Sequence, residues 1–202
     1  TEEWSKTTQV GAWSTSGSLN TARGLLGGAG SFTAALAFGG DTVGDNTLSA
    51  LTENYNGSSW TEVNDLNTAR AIGGSAGATN TAALMISGGF PPDFANVESW
   101  NGTSWTEIAD VNTARRSGGG CGTSTAALYF GGISSGNEGD TESWNGSSWT
   151  EVNDLNSARR DVASLGTYTL ALCSGGNQAP PPASALNETW NGTSWTEINN
   201  LN

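Results

Sequence analysis

Apolar residues along this chain come in short bursts and never in a long run. Four bursts are near-copies of one another: TAALAFGG at 33–40, TAALMISGG at 81–89, TAALYFGG at 125–132 and TLALCSGG at 169–176. Each is closed by glycine and has the length of a buried β-strand, too short for an ordinary helix. A second set alternates aromatic and polar positions around Asn-Gly: ENYNGSSWTEV at 53–63, ESWNGTSWTEI at 98–108, ESWNGSSWTEV at 142–152 and ETWNGTSWTEI at 188–198. A period of two predicts strands with one covered face, and Asn-Gly between them predicts a hairpin.

The two sets belong to one repeat. Trp13, Trp60, Trp105, Trp149 and Trp195 are spaced by 47, 45, 44 and 46 residues, and Arg23, Arg70, Arg115 and Arg159 each follow a tryptophan by ten. A small-residue stretch comes next (GLLGGAG, AIGGSAG, RSGGGCG, RDVASLG), then the apolar burst, which ends in a glycine pair at Gly39-Gly40, Gly88-Gly89, Gly131-Gly132 and Gly175-Gly176. One repeat therefore reads as four strands: A (small), B (apolar), C (ending in Tyr or Trp) and D (opening on Trp). Four strands in about 45 residues predict a propeller blade. A stacked β-solenoid is the alternative, but its repeats are usually shorter and lack hairpin turns. Strand A is small because the innermost strands crowd around an axis, while tryptophan suits the wide seams between blades.

The Gly-Gly ending B, the aromatic ending C, the Trp opening D and the Arg before A together resemble the kelch motif, over nearly the whole chain. The resemblance implies a kelch-type β-propeller, an all-β fold of four-stranded antiparallel blades. The wording NGTSWTE…LNTAR…TAALAFGG is also similar to repetitive kelch-like proteins of marine phages and bacteria, often tail-fibre or surface proteins. That likeness implies an extracellular or virion-surface setting. Within one propeller domain over 1–202, full blades are expected at 24–66, 70–111, 116–155 and 160–201. Residues 2–15 read as a further C–D hairpin, with Trp4 before the turn and Trp13 after it. Five blades, one of them incomplete in this chain and filled from other sequence, are the preferred reading; four blades with an extra hairpin are the second.

Composition narrows the function classes. Of 202 residues 29 are glycine and nine tryptophan, and the net charge of −12 rests on only seven basic residues. An acidic surface repels phosphate backbones and anionic lipid, so neither nucleic-acid binding nor membrane insertion is expected. No apolar run approaches a membrane span and no signal-peptide pattern opens the chain. Thr1 in place of Met predicts that sequence upstream was removed. Cys121 and Cys173 occupy non-equivalent repeat positions and read as buried free thiols. Kelch-type propellers include copper oxidases, but those need histidine ligands and this chain has no histidine. Most carboxylates recur with the repeat, which marks them as architectural, and no enzyme activity or cofactor is expected.

Three candidate sites follow. Asn56, Asn101, Asn145, Asn187 and Asn191 each begin an acceptor pattern for N-linked glycan. At four of them Asn-Gly is better explained as a type I′ turn, which needs positive φ at both central residues. The arginine ring could grip an anionic sugar, yet pairing with Asp65, Asp110, Asp154 or with Glu62, Glu107, Glu151 is the structural expectation, since buried charges are normally paired. Arg116 and Arg160 occur in two repeats only and are the less structural pair. The third site is the loop face. The B–C loops, 41–51, 90–97, 133–141 and 177–187, differ most among the repeats, and loops on a rigid scaffold commonly carry binding. There Phe90 and Phe94 are candidates to stack on a sugar ring. Asp41, Asp45, Asp93, Asn137, Glu138, Asp140, Asn177 and Gln178 are candidates to hydrogen-bond its hydroxyls. A surface glycan, a protein receptor or neighbouring subunits of an assembly are the expected partners. Gly40, Gly89, Gly132 and Gly176, with the repeated arginines and tryptophans, are expected to serve the fold.

Overall fold

The structure, a computed structural model, describes residues 16–42, 47–178 and 183–201. Every regular element among them is a β-strand. Sixteen strands form four four-stranded antiparallel sheets in which spatial order equals chain order. Blade 1 holds Gly27–Ser31, Ala34–Phe38, Thr52–Tyr55 and Trp60–Val63. Blade 2 holds Gly74–Thr79, Ala82–Gly88, Phe94–Trp100 and Trp105–Ile108. Blade 3 holds Gly119–Gly122, Ala127–Phe130, Thr141–Trp144 and Trp149–Val152, and blade 4 holds Ala163–Gly166, Ala171–Ser174, Asn187–Trp190 and Trp195–Ile198. A fifth antiparallel sheet, of Arg23–Gly24, Asp41–Thr42 and Thr47–Leu48, is a small ribbon that the B–C excursion of blade 1 adds at its loop end. The inner strands stand side by side in the order of blades 1, 2, 3 and 4. The arrangement matches the expected five-blade propeller pattern, with four blades built in full. The expected hairpin at 2–15 lies outside the described residues.

Three seams hold the blades together, and all have one composition. Each pairs the leading face of one blade with the tryptophan face of the next. Between blades 1 and 2, Leu36, Phe38 and Leu66 meet Ala83, Met85, Trp100 and Trp105. Between blades 2 and 3, Leu84, Ile86, Val97 and Val111 meet Ala127, Tyr129, Trp144 and Trp149. Between blades 3 and 4, Leu128, Phe130 and Leu155 meet Ala171, Cys173, Trp190 and Trp195. Phe38 stands edge-on to Trp105 at 4.9 Å, and Phe130 to Trp195 at 4.7 Å, the aromatic geometry that adds to burial.

A belt of backbone bonds links the blades near the axis. The residue two after each repeat arginine has a left-handed backbone: Leu25, Ile72, Ser117 and Asp161, with φ of 52°, 58°, 59° and 55°. The Ile72 N–H donates to Leu25 O at 3.1 Å, Ser117 to Ile72 at 2.7 Å and Asp161 to Ser117 at 2.8 Å. Non-glycine residues hold such a conformation only where the surroundings over-determine it, and the repeating bond does so here.

Two local expectations are corrected. The Asn-Gly turns are not type I′. Trp100 pairs with Trp105, so the loop has four residues, and only the glycine has positive φ, 93° at Gly102. Asn101 keeps an ordinary backbone and uses its side chain, whose Oδ1 accepts from the N–H groups of Thr103 and Ser104 at 2.9 Å. Asn56, Asn145 and Asn191 do the same. The extra two residues free the turn from the mirror-image geometry, and the side chain caps it instead. The second correction concerns blade 2. The equivalents of Gly39-Gly40 are Ser87-Gly88, not Gly88-Gly89. Gly40, Gly88 and Gly132 donate to the carbonyls of Arg70, Arg115 and Arg159 of the following blade, at 2.9, 3.0 and 2.9 Å. Ser87 takes φ of 58° and its Oγ bonds the Phe94 and Arg115 carbonyls, offsetting the strain.

Candidate binding face

The arginine ring is built inward. Arg70, Arg115 and Arg159 are fully buried and Arg23 nearly so. The pairing expected from sequence is corrected in its partners. The carboxylates that meet the arginines sit on strand C, two residues before its closing aromatic: Arg23 with Glu53 at 2.9 Å, Arg70 with Glu98 at 3.0 Å, Arg115 with Glu142 at 2.6 Å and Arg159 with Glu188 at 2.9 Å. The same carboxylates accept the backbone N–H of Asn20, Asn67, Asn112 and Asn156. Glu62, Glu107 and Glu151 instead face solvent on strand D. Asp65 and Asp154 cap the N–H groups of Thr52 and Thr141. Strand C lies between B and D, where one face of each side chain is covered, so its glutamate is the carboxylate within reach of a buried guanidinium. Burial pushes the Arg70 pKa down and Glu98 pushes it back up. Arginines so enclosed are out of reach of a soluble anion, although Nε and Nη1 of Arg70 and Arg159 have no hydrogen-bond partner.

Arg116 is not free either. Its Nη1 lies 2.6 Å from Asp93 Oδ1, a half-buried ion pair that ties the blade 2 loop to blade 3. Arg160 is the more open of the two: its Nε stands 3.4 Å from Asp161, with both side chains about two-fifths exposed. Around it the structure brings several expected residues together. The Asn177 Nδ2 donates to Asp161 Oδ2 at 2.9 Å, and Asn137 Nδ2 donates to the Asn177 carbonyl at 2.9 Å. Glu138 accepts from Ser134, while its backbone fixes Gly132 and Arg159. This polar network spans the loops of blades 3 and 4 and offers carboxylate, amide and guanidinium groups on one edge. Gln178 flanks it, partly buried. The Asp140 carbonyl accepts from Gly131.

The other expected residues are separate. Asp41 lies in the ribbon of blade 1, paired with Gly24. Asp45 lies outside the described residues. Phe90 is partly buried, and Phe94 opens strand C with its ring folded over Gly89. Sequence reasoning missed Asp161, which bridges Arg160 and Asn177. It also missed Phe32, 91 % exposed at the A–B turn of blade 1 on the opposite end. Its place in a turn carries no periodic signal.

Further chemistry is sparse among the described residues. Burial pushes the thiol of Cys121 up to about 12 and that of Cys173 up to about 11, so both stay protonated near neutrality and lack the thiolate that reacts. They are free thiols, as expected. No group of three metal-ligating side chains comes together. A hollow of about 250 Å³ is lined by inner-strand residues of all four blades, among them Gly28, Ser75, Gly120 and Ser164. In comparisons with known proteins, no protein-family model matches the chain and no curated protein matches it.

Proposed function

We propose that the protein is a non-catalytic binding propeller of the kelch type, displayed on a virion fibre or bacterial surface, whose B–C loop face recognises a glycan or protein receptor. One observation carries this reading: the side-chain pairs of the body recur from blade to blade while the loop side chains do not. The arginine–glutamate pair, the tryptophan seam and the capped turn recur from blade to blade. The loops of blades 1, 3 and 4 share a backbone frame, in which Gly40, Gly132 and Gly176 accept from the N–H groups of Ser49, Glu138 and Ser184. Their side chains differ, and around Glu138 and Asn177 they gather an open guanidinium, carboxylates and amides of the kind that bind hydroxyl-rich ligands. The Arg160–Asp161–Asn177–Asn137 edge is the preferred contact, and Arg116 braces the neighbouring blade 2 loop through Asp93.

Glycan-array binding tests the reading. Binding that is lost when 89–96, 133–140 and 177–186 are exchanged for residues 41–51 of blade 1, with the far-ultraviolet spectrum unchanged, supports it; binding retained through the exchange overturns it. A second reading is a structural module that spaces subunits of a fibre or surface filament. The exposed apolar face of blade 4 favours it, and burial of the loop face between subunits in a map of the native particle would establish it.

A further inference from the structure

One recurring residue is not absorbed by the wiring of the blades. Glu62, Glu107, Glu151 and Glu197 hold the same place on strand D of every blade. All four are exposed, and none makes a hydrogen bond or ion pair with a described residue. The B–C loops differ between repeats, and this carboxylate does not. A charge on an outermost strand discourages pairing with another sheet, but it does not account for what lies beside Glu151.

A groove of about 440 Å³ opens on the outer rim, where strand D of blade 3 meets the C–D hairpin of blade 4. Val152 and Trp190 form its apolar part, and Glu151, Asn153, Gly192 and Thr193 its polar part. Two bonds fix its shape: Asn153 Nδ2 donates to the Thr193 carbonyl at 2.9 Å, and Trp190 Nε1 to the Tyr168 carbonyl at 3.1 Å. The Glu151 carboxylate, Asn153 Oδ1 and Thr193 Oγ1 are left without a described partner. The seam between blades 1 and 2 carries the same set. Glu62, Asn64 and Thr103 stand where Glu151, Asn153 and Thr193 stand, and Asn64 Nδ2 donates to the Thr103 carbonyl at 2.8 Å. The seam between blades 2 and 3 departs from it, with Ala109 in place of the asparagine and Ser147 in place of the threonine. The inter-blade bond uses a backbone carbonyl that serine also has, so it does not by itself select threonine beside asparagine.

We infer that the rim positions at the blade 1–2 and blade 3–4 seams are a matched pair of subsites for an uncharged sugar. The unused groups are two acceptors and a hydroxyl, which suit a ligand rich in O–H donors, and Val152 with Trp190 gives its C–H face an apolar wall. The volume lies in the range of small-ligand sites. Glu151 and the net charge of −12 work against a sugar acid. No B–C loop residue takes part, so these subsites are separate from the loop face.

The test is nuclear magnetic resonance on the full chain, labelled with nitrogen-15 and titrated with glucose, galactose, mannose and N-acetylglucosamine, with glucuronate as the anionic control. At least one neutral sugar is expected to shift the amide signals of Gly102 and Gly192 together and to leave Gly146, at the unmatched seam, in place. Glu62→Ala and Glu151→Ala should each weaken binding at their own seam by about tenfold, the loss expected for a hydrogen bond to a charged group, and leave the other seam unchanged. Both positions are exposed, so the melting temperature should stay that of the parent. Ala109→Asn combined with Ser147→Thr should bring the Gly146 signal into the response. Exchange of the B–C loops should leave the rim response intact, so the rim and loop-face readings fail separately. No shift at Gly102 and Gly192 with any of the neutral sugars overturns the inference. So does an equal response at Gly146 in the parent chain, an equal response to glucuronate, or binding that survives both alanine substitutions.

Discussion

At the scale of single residues, the repeat arginine and the strand C glutamate form the pair on which each blade is folded. Both side chains are buried, so removing one leaves the other charged without a partner. Glu98→Ala is expected to cost about 3–5 kcal/mol in urea unfolding, whereas Glu107→Ala on the exposed face of strand D changes stability by about 0.5 kcal/mol or less. Equal costs would restore the pairing expected from sequence. The threonine under two of the three seam tryptophans gives a second contrast. Thr52→Val, which orphans the Trp105 N–H, is expected to destabilise by about 1 kcal/mol, and Val97→Thr, which supplies an acceptor to Trp149, to stabilise by a similar amount. The cysteines add a pH effect. Their folded pKa values are raised by burial above the ordinary 9.0, to about 12 and about 11. The stability they lend is therefore fully present below pH 9 and declines as pH rises toward those values. Melting temperature followed from pH 8 to pH 11 should fall less steeply in a Cys121→Ala, Cys173→Ala variant than in the parent chain.

At the scale of elements, strands were legible in the sequence because every junction carries punctuation: glycine after B, Asn-Gly between C and D, arginine before A. Three finer points were not. Arginine partners were misassigned because two glutamates recur in every repeat, Glu98 and Glu107 in blade 2, and periodicity alone does not say which faces inward. The signal was present in the neighbours, since Glu98 lies between Val97 and Trp100 on a strand covered by two others. The turn type was misread because loop length is fixed by the Trp100–Trp105 pairing, which spacing does not reveal. The glycine pair of blade 2 was shifted by one because Ser87 takes a backbone conformation usually left to glycine. For the turn, Gly102→Ala is expected to cost about 1 kcal/mol or more, because its φ of 93° is unfavourable with a Cβ. Asn101→Ala costs a similar amount through two lost caps. Thermal unfolding of both variants, with glycan absent, separates this structural role from a role in glycosylation.

At the scale of the whole molecule, a body of recurring side-chain pairs carries loops whose side chains do not recur, and the proposed binding lies in those loops. Of the loop residues singled out from sequence, Asn137, Asn177, Arg160 and Glu138 gather at one edge, while Asp93 and Arg116 hold each other and Phe94 folds onto its own blade. Which loops approach one another depends on the order of blades around the axis, a relation that no single repeat encodes. The most direct measurement of the central claim uses a chain in which residues 89–96, 133–140 and 177–186 are each replaced by residues 41–51 of blade 1. The exchange keeps the register of strand C, and the chain is compared with the parent for melting temperature and for binding to receptor-bearing cells. The account predicts a melting temperature within a few degrees of the parent, for roughly 1 kcal/mol of change, and loss of binding. A chain that stays folded and binds as before would contradict it.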